Sequence, residues 1–78
     1  MKWQKMGWNE WALYLSATHR FINDDTITSY CAVVTEEIPR RSYTLRLFPD
    51  WNDREQAYAS LREAQAAAEA ILTLEGIL

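Results

Sequence analysis

A chain of 78 residues, 49% of them apolar and four of them tryptophan, makes one domain with material for a core and no room for a second. No apolar run nears the roughly 18–20 residues that span a bilayer, and the opening Met1-Lys2-Trp3-Gln4 lacks the apolar stretch of a signal peptide. The one cysteine, Cys31, has no partner for an internal disulfide, and the net charge of −3 argues against a concentrated basic footprint, so a soluble cytoplasmic protein is expected, with nucleic acid disfavoured as partner.

Residues 1–10, with Trp3 and Trp8, read as a first short strand or an ordered arm. From Trp11 to Ile22 the pattern has period two. Trp11, Leu13, Leu15, Ala17, His19 and Phe21 fall on one side, and Tyr14, Ser16, Thr18, Arg20 and Ile22 on the other, which predicts one strand. Asn23-Asp24-Asp25 is turn chemistry. Thr26–Glu36, rich in β-branched and aromatic residues, predicts a second strand. A hairpin about Asp24 would pair Leu15 with Val33, Ala17 with Cys31 and Phe21 with Ile27, keeping the apolar sets together. Ile38-Pro39-Arg40-Arg41 is a connection, Ser42–Phe48 a third strand, and Pro49 its end. Within residues 50–59, Asn52 with Glu55 could open a helix from about Asp53; an extended approach through Ala57-Tyr58-Ala59 is preferred because the signal that follows is stronger.

That signal is the run Ser60–Gly76. Ser60 and Glu63 form a capping-box pattern, Gly76 suits the left-handed residue that ends a helix, and Leu61, Ala64, Ala68, Ile71 and Leu72 make one narrow stripe. The expected fold is α+β: a three- or four-stranded antiparallel sheet over about residues 8–48, with one C-terminal helix over about 60–75 packed on one face.

Chemistry-bearing residues are sparse. His19 is the only histidine, with neither a nucleophile nor a second metal ligand in view, so catalysis and metal binding are not expected. Cys31 falls mid-strand on the side expected to meet the helix, where a thiol behaves as a small hydrophobe. The acids come as Asp24/Asp25, Glu36/Glu37 and a cluster at Asp50, Asp53 and Glu55. Paired carboxylates serve glycoside hydrolysis only across a cleft, which so small a sheet can hardly form. They read as solvated turn residues or as contacts for a basic partner.

The aromatic residues outnumber what one helix stripe covers. The helix-free face would carry Tyr14, Ile22, Tyr30, Val34 and Phe48. It would serve as an interaction surface or homodimer seam, or be closed into a second core by Trp3 and Trp8. The candidate partner-binding residues are Tyr14, Tyr30, Glu36, Glu37 and Trp51. The alternative is a basic strand, Arg40, Arg41, Tyr43 and Arg46, reading DNA from a sheet.

The phrase Ser60-Leu61-Arg62-Glu63-Ala64-Gln65-Ala66-Ala67-Ala68-Glu69, the opening Met1-Lys2-Trp3 and the order of elements resemble a loose group of very small phage and prophage proteins. Those open with a Trp-bearing strand, continue as an antiparallel meander and close with a Ser/Thr-Leu-x-Glu-Ala helix. The likeness covers most of the chain in layout, and the long Asp50–Tyr58 stretch departs from it. The resemblance implies a mobile-element origin, hence the host cytoplasm; the lack of catalytic, metal or nucleotide motifs in the sequence makes the expected role non-enzymatic and cofactor-free. The group includes anti-CRISPR proteins, which occupy a surface on a CRISPR effector complex. The same layout is similar to the arm-binding domain of phage integrases, which implies the DNA-binding alternative. Neither comparison supplies a site motif that carries over onto residues of this chain.

Overall fold

The computed structural model describes residues 1–38, 41–52 and 57–78. Its strands are β1 (Lys2–Lys5), β2 (Glu10–Tyr14), β3 (Phe21–Asn23), β4 (Thr26–Thr28), β5 (Ala32–Glu37) and β6 (Ser42–Leu47), followed by one helix, α1 (Leu61–Leu74). β1, β2, β5 and β6 form an antiparallel sheet in the order β1-β2-β5-β6, and β3 with β4 forms a separate hairpin. The α+β class and the C-terminal helix match the sequence reading; the strand count of three or four does not, because six are present among the described residues.

The undercount has a local cause. The alternation from Trp11 to Ile22 is one strand in sequence but two in space, because Tyr14 ends β2 and the chain turns before Phe21. Side chains make that turn: the Ser16 hydroxyl accepts from the His19 N–H at 3.0 Å, and Arg20 Nη1 donates to the Ala17 and His19 carbonyls at 3.3 and 2.9 Å. Such side-chain bonds offer the backbone an alternative to the ladder. The return stretch breaks likewise between Thr28 and Ala32, where Thr28 Oγ1 donates to the Tyr30 carbonyl. The expected pairing is corrected accordingly. Phe21 pairs with Thr28 and Ile22 with Ile27, one residue off the expected register, while β2 and β5 pair Leu13 with Ala32 and Trp11 with Val34.

The main sheet has two unlike faces. Residues directly opposite one another in an antiparallel ladder share a face. One face therefore collects Trp3, Leu13, Ala32 and Leu47, with Trp11, Val34 and Leu45 in the next row. On this face α1 packs across β5 and β6, burying Leu13, Val34, Leu45, Leu47, Ala64, Ala68 and Leu72 completely. Each leucine so buried contributes about 2 kcal/mol. The alanines let the helix lie close to the strands. Trp3 ties β1 to the helix, its Nε1–H donating to Glu69 Oε2 at 3.0 Å.

The helix stop behaves as read, and at the start one of the two capping-box bonds is present. The Glu63 N–H donates to Ser60 Oγ at 3.2 Å. At the other end Gly76, at φ 78, donates to the Thr73 carbonyl, and the Ile77 N–H reaches the Leu72 carbonyl at 2.9 Å. This pair of bonds is a Schellman turn. It folds Ile77 back against the core that holds Leu72. Tyr58 bonds Tyr43 in both directions at 2.9 Å, so an extended segment does lead from the β6 edge toward the Ser60 cap. The expectation for residues 53–56 lies outside the described residues.

Candidate partner-binding surface

The second face carries Lys2, Gln4, Glu10, Ala12, Tyr14, Val33, Thr35, Thr44 and Arg46 by the same register. Val34, expected here, belongs instead to the helix face and is fully buried. Trp3 and Trp8 do not close this face: Trp3 is bonded to the helix and Trp8 is 70% exposed. At one end a row of rings is built instead. Tyr14 meets Tyr30 edge-on at 5.9 Å, Tyr30 meets Trp51 at 5.7 Å, Trp51 meets Phe48 at 6.2 Å, and Phe48 meets Phe21 at 5.4 Å. The row grades from buried Phe21 to half-buried Phe48, Trp51, Tyr30 and Tyr14. The Phe21 end anchors the β3–β4 hairpin, and the Asn23 amide donates to the Pro49 carbonyl beside it.

Two features of this row are absent from the sequence reading. The first is the backbone of Trp51, at φ 58, a region a bulky residue occupies only when its surroundings hold it there. The Trp51 N–H bond to the Leu47 carbonyl, 3.0 Å, and the two ring contacts supply that hold. The second is the hairpin's outward side, where Ile22 and Ile27 stand opposite each other at 64% and 65% exposure. Single exposed isoleucines are ordinary; a cross-strand pair is a small continuous apolar knob. The two-residue turn at Asp24-Asp25 creates it by setting that register.

Glu36 and Glu37 do not join the row. They sit four and five residues along β5 from Ala32, roughly 13–16 Å from the aromatic end. Glu37 accepts from the Thr44 hydroxyl at 3.3 Å. Glu36 lines a shallow cavity of about 650 Å³ with Arg41 and Tyr43. Of the basic strand, Tyr43 lies on the helix face with its ring 6.1 Å from Trp11, while Arg46 lies on the other face beside Glu10 and Trp51. Arg40 lies outside the described residues.

The remaining candidates are structural in surroundings. The His19 ring stacks obliquely on Phe21 at 4.5 Å. Cys31 lies just before β5 rather than mid-strand, fully buried, with burial pushing its thiol up to about 11. A thiol so shifted stays protonated at neutral pH and is a poor nucleophile. Asp50 Oδ1 accepts from the Asn52 N–H at 3.1 Å and so serves its own turn. Among the described residues no group of three His, Cys, Asp or Glu is placed to hold a metal ion, and no helix is long and apolar enough to cross a membrane. No protein-family model matches the chain, and comparison with curated proteins and with solved structures gives no match.

Proposed function

We propose that this protein is a non-enzymatic interaction module that binds a protein partner through the Tyr14–Tyr30–Trp51 row and the adjoining Ile22–Ile27 knob. The observation that supports this is the state of those rings. They are fixed by edge-to-face contacts, yet Tyr14, Tyr30 and Trp51 are left half-open to solvent on the face the helix does not cover. Rigid, partly exposed tyrosine and tryptophan are what interface centres are built from, because they add area at little entropic cost. The resemblance of the Ser60–Glu69 phrase to small phage proteins narrows the partner to a host nucleoprotein defence complex, such as a CRISPR effector, met in the host cytoplasm and inhibited by occupation of its surface. Glu36 and Glu37 drop out of the central contact and become peripheral.

The DNA-reading alternative gains less support. Tyr43 and Arg46 occupy opposite faces, and a sheet reads a groove with one face at a time.

The test is co-purification of the tagged chain from a bacterium carrying an active CRISPR effector complex, beside a Tyr30→Ala/Trp51→Ala variant whose fold is verified by its amide spectrum. Retention of the complex by the wild type and its loss in the folded variant are expected. No retention by the wild type, or equal retention by both, overturns the proposal.

A further inference from the structure

At the Tyr14 end of the aromatic row, on the same face, the chain forms a second recess that shares only Tyr14 with the interaction surface. It is an open hollow of about 430 Å³ between the start of β1, the end of β2 and the turn at residues 15–20, and its polar lining is Lys2, Gln4, Tyr14, Ser16, Arg20 and Ser29. That volume falls within the range of small-molecule sites, about 300–1,000 Å³.

The lining is unlike the rest of the molecule in charge. The chain has eleven carboxylate side chains against eight lysines and arginines, yet among the described residues no carboxylate lines this recess and two cations do. The cations have no acidic partner there. Arg20 spends Nη1 on the Ala17 and His19 carbonyls, which fixes the guanidinium plane across the turn. Its Nε–H and both Nη2 hydrogens, with the Lys2 ammonium, have no acceptor among the described residues. Ser16 accepts from the His19 N–H, which orients its oxygen and leaves its own hydrogen to donate. Tyr14, Ser29 and Gln4 add further donors at the wall. One side is apolar, formed by Leu15 and the Tyr14 ring, itself held edge-on by Tyr30 at 5.9 Å.

We propose that this recess is a binding site for a small organic anion, a phosphate or carboxylate carried on an apolar or aromatic body. Lys2 and Arg20 neutralise the charged group, and a preoriented guanidinium favours planar or tetrahedral oxyanions over a simple ion. The Ser16, Ser29 and Tyr14 hydroxyls take its remaining oxygens. Leu15 and the Tyr14 ring cover the body of the ligand. This site shares Tyr14 with the proposed partner surface, but its test needs no partner.

The experiment is a titration of the isotope-labelled protein followed by its amide and Arg20 Nε–H resonances. The probes are phenyl phosphate, phenylacetate and neutral benzyl alcohol. Saturable shifts confined to residues 2–4, 14–20 and 29 are expected for both anions in the millimolar range or below. The tighter of the two identifies the charged group preferred, and benzyl alcohol should leave these resonances in place. In Lys2→Gln/Arg20→Gln the affinity should fall at least roughly tenfold. The charge-preserving Lys2→Arg/Arg20→Lys should keep most of it; both side chains are exposed, and because Arg20 also braces the turn, each variant's fold is checked by its amide spectrum. Equal shifts with benzyl alcohol, shifts spread over Lys5, Arg41 and Arg62, failure to saturate, or unchanged binding in the glutamine pair would each overturn the proposal.

Discussion

Trp51 is where residue chemistry and the proposed function meet. Its ring completes the exposed row, and its backbone at φ 58 carries a conformation that costs a residue with a Cβ about 1–2 kcal/mol. Two substitutions separate these roles. Trp51→Ala removes the ring and keeps the strained backbone, whereas Trp51→Gly removes both ring and strain. At ordinary positions glycine is the less stable of the two by about 0.5–1 kcal/mol. Here the order should invert, Trp51→Gly being more stable than Trp51→Ala by about 1 kcal/mol in urea unfolding. Both variants should lose partner binding equally, because both lose the ring. A less stable glycine variant would mean that the backbone at 51 is not held in the left-handed region.

At the scale of elements, legibility followed how local the determinants are. The helix could be read because its cap, its stop and its 3.6-residue period all lie within Ser60–Gly76. β6 could be read because alternation in Ser42–Leu47 ends at a proline. The break after Tyr14 could not, since Leu15, Ala17, His19 and Phe21 continue the alternation through a turn made by Ser16 and Arg20 side chains. The lesson for the site is similar. Tyr14, Tyr30 and Trp51 were found as surplus aromatics, but their contact across 37 residues of chain depends on that turn and on the backbone of Trp51. The glutamates stand apart from them because strand direction sends β5 away from the aromatic end. The legible helix ends carry their own prediction. An added Cβ at Gly76 meets no atom within 4 Å, so Gly76→Ala should cost only the backbone penalty, about 1 kcal/mol. Ser60→Ala should cost about 1 kcal/mol as well. The sites lie at opposite ends of the helix and share no partner, so the double variant should lose the sum with an unchanged denaturant slope. A neutral Gly76→Ala would remove the Schellman turn from the account of the helix end.

For the whole molecule, the arrangement of charge and apolar surface sets what the protein does when pure. A stable homodimer would need roughly 800 Å² from each copy, against a total surface of 5224 Å². The helix face is closed by its own core, and the open face carries Lys2, Gln4, Glu10, Thr35 and Thr44 across its strands. What remains apolar and exposed there is the Ile22–Ile27 knob and the flank of the ring row, and a two-fold contact through them would set these polar and charged residues against their own copies, which disfavours self-association. Duplex DNA fares no better: Arg41 and Arg46 are separated by the fold, and Glu36 and Glu37 stand at the same sheet end as Arg41. Sedimentation of the pure protein should therefore give a monomer whose velocity a short DNA duplex does not change, even at low salt, where phosphate contacts are strongest. A salt-sensitive shift with the duplex would move the binding surface to Arg41 and Arg46. A dimer abolished by Ile22→Asp would assign the aromatic end to a second copy of the chain and displace the foreign partner from it.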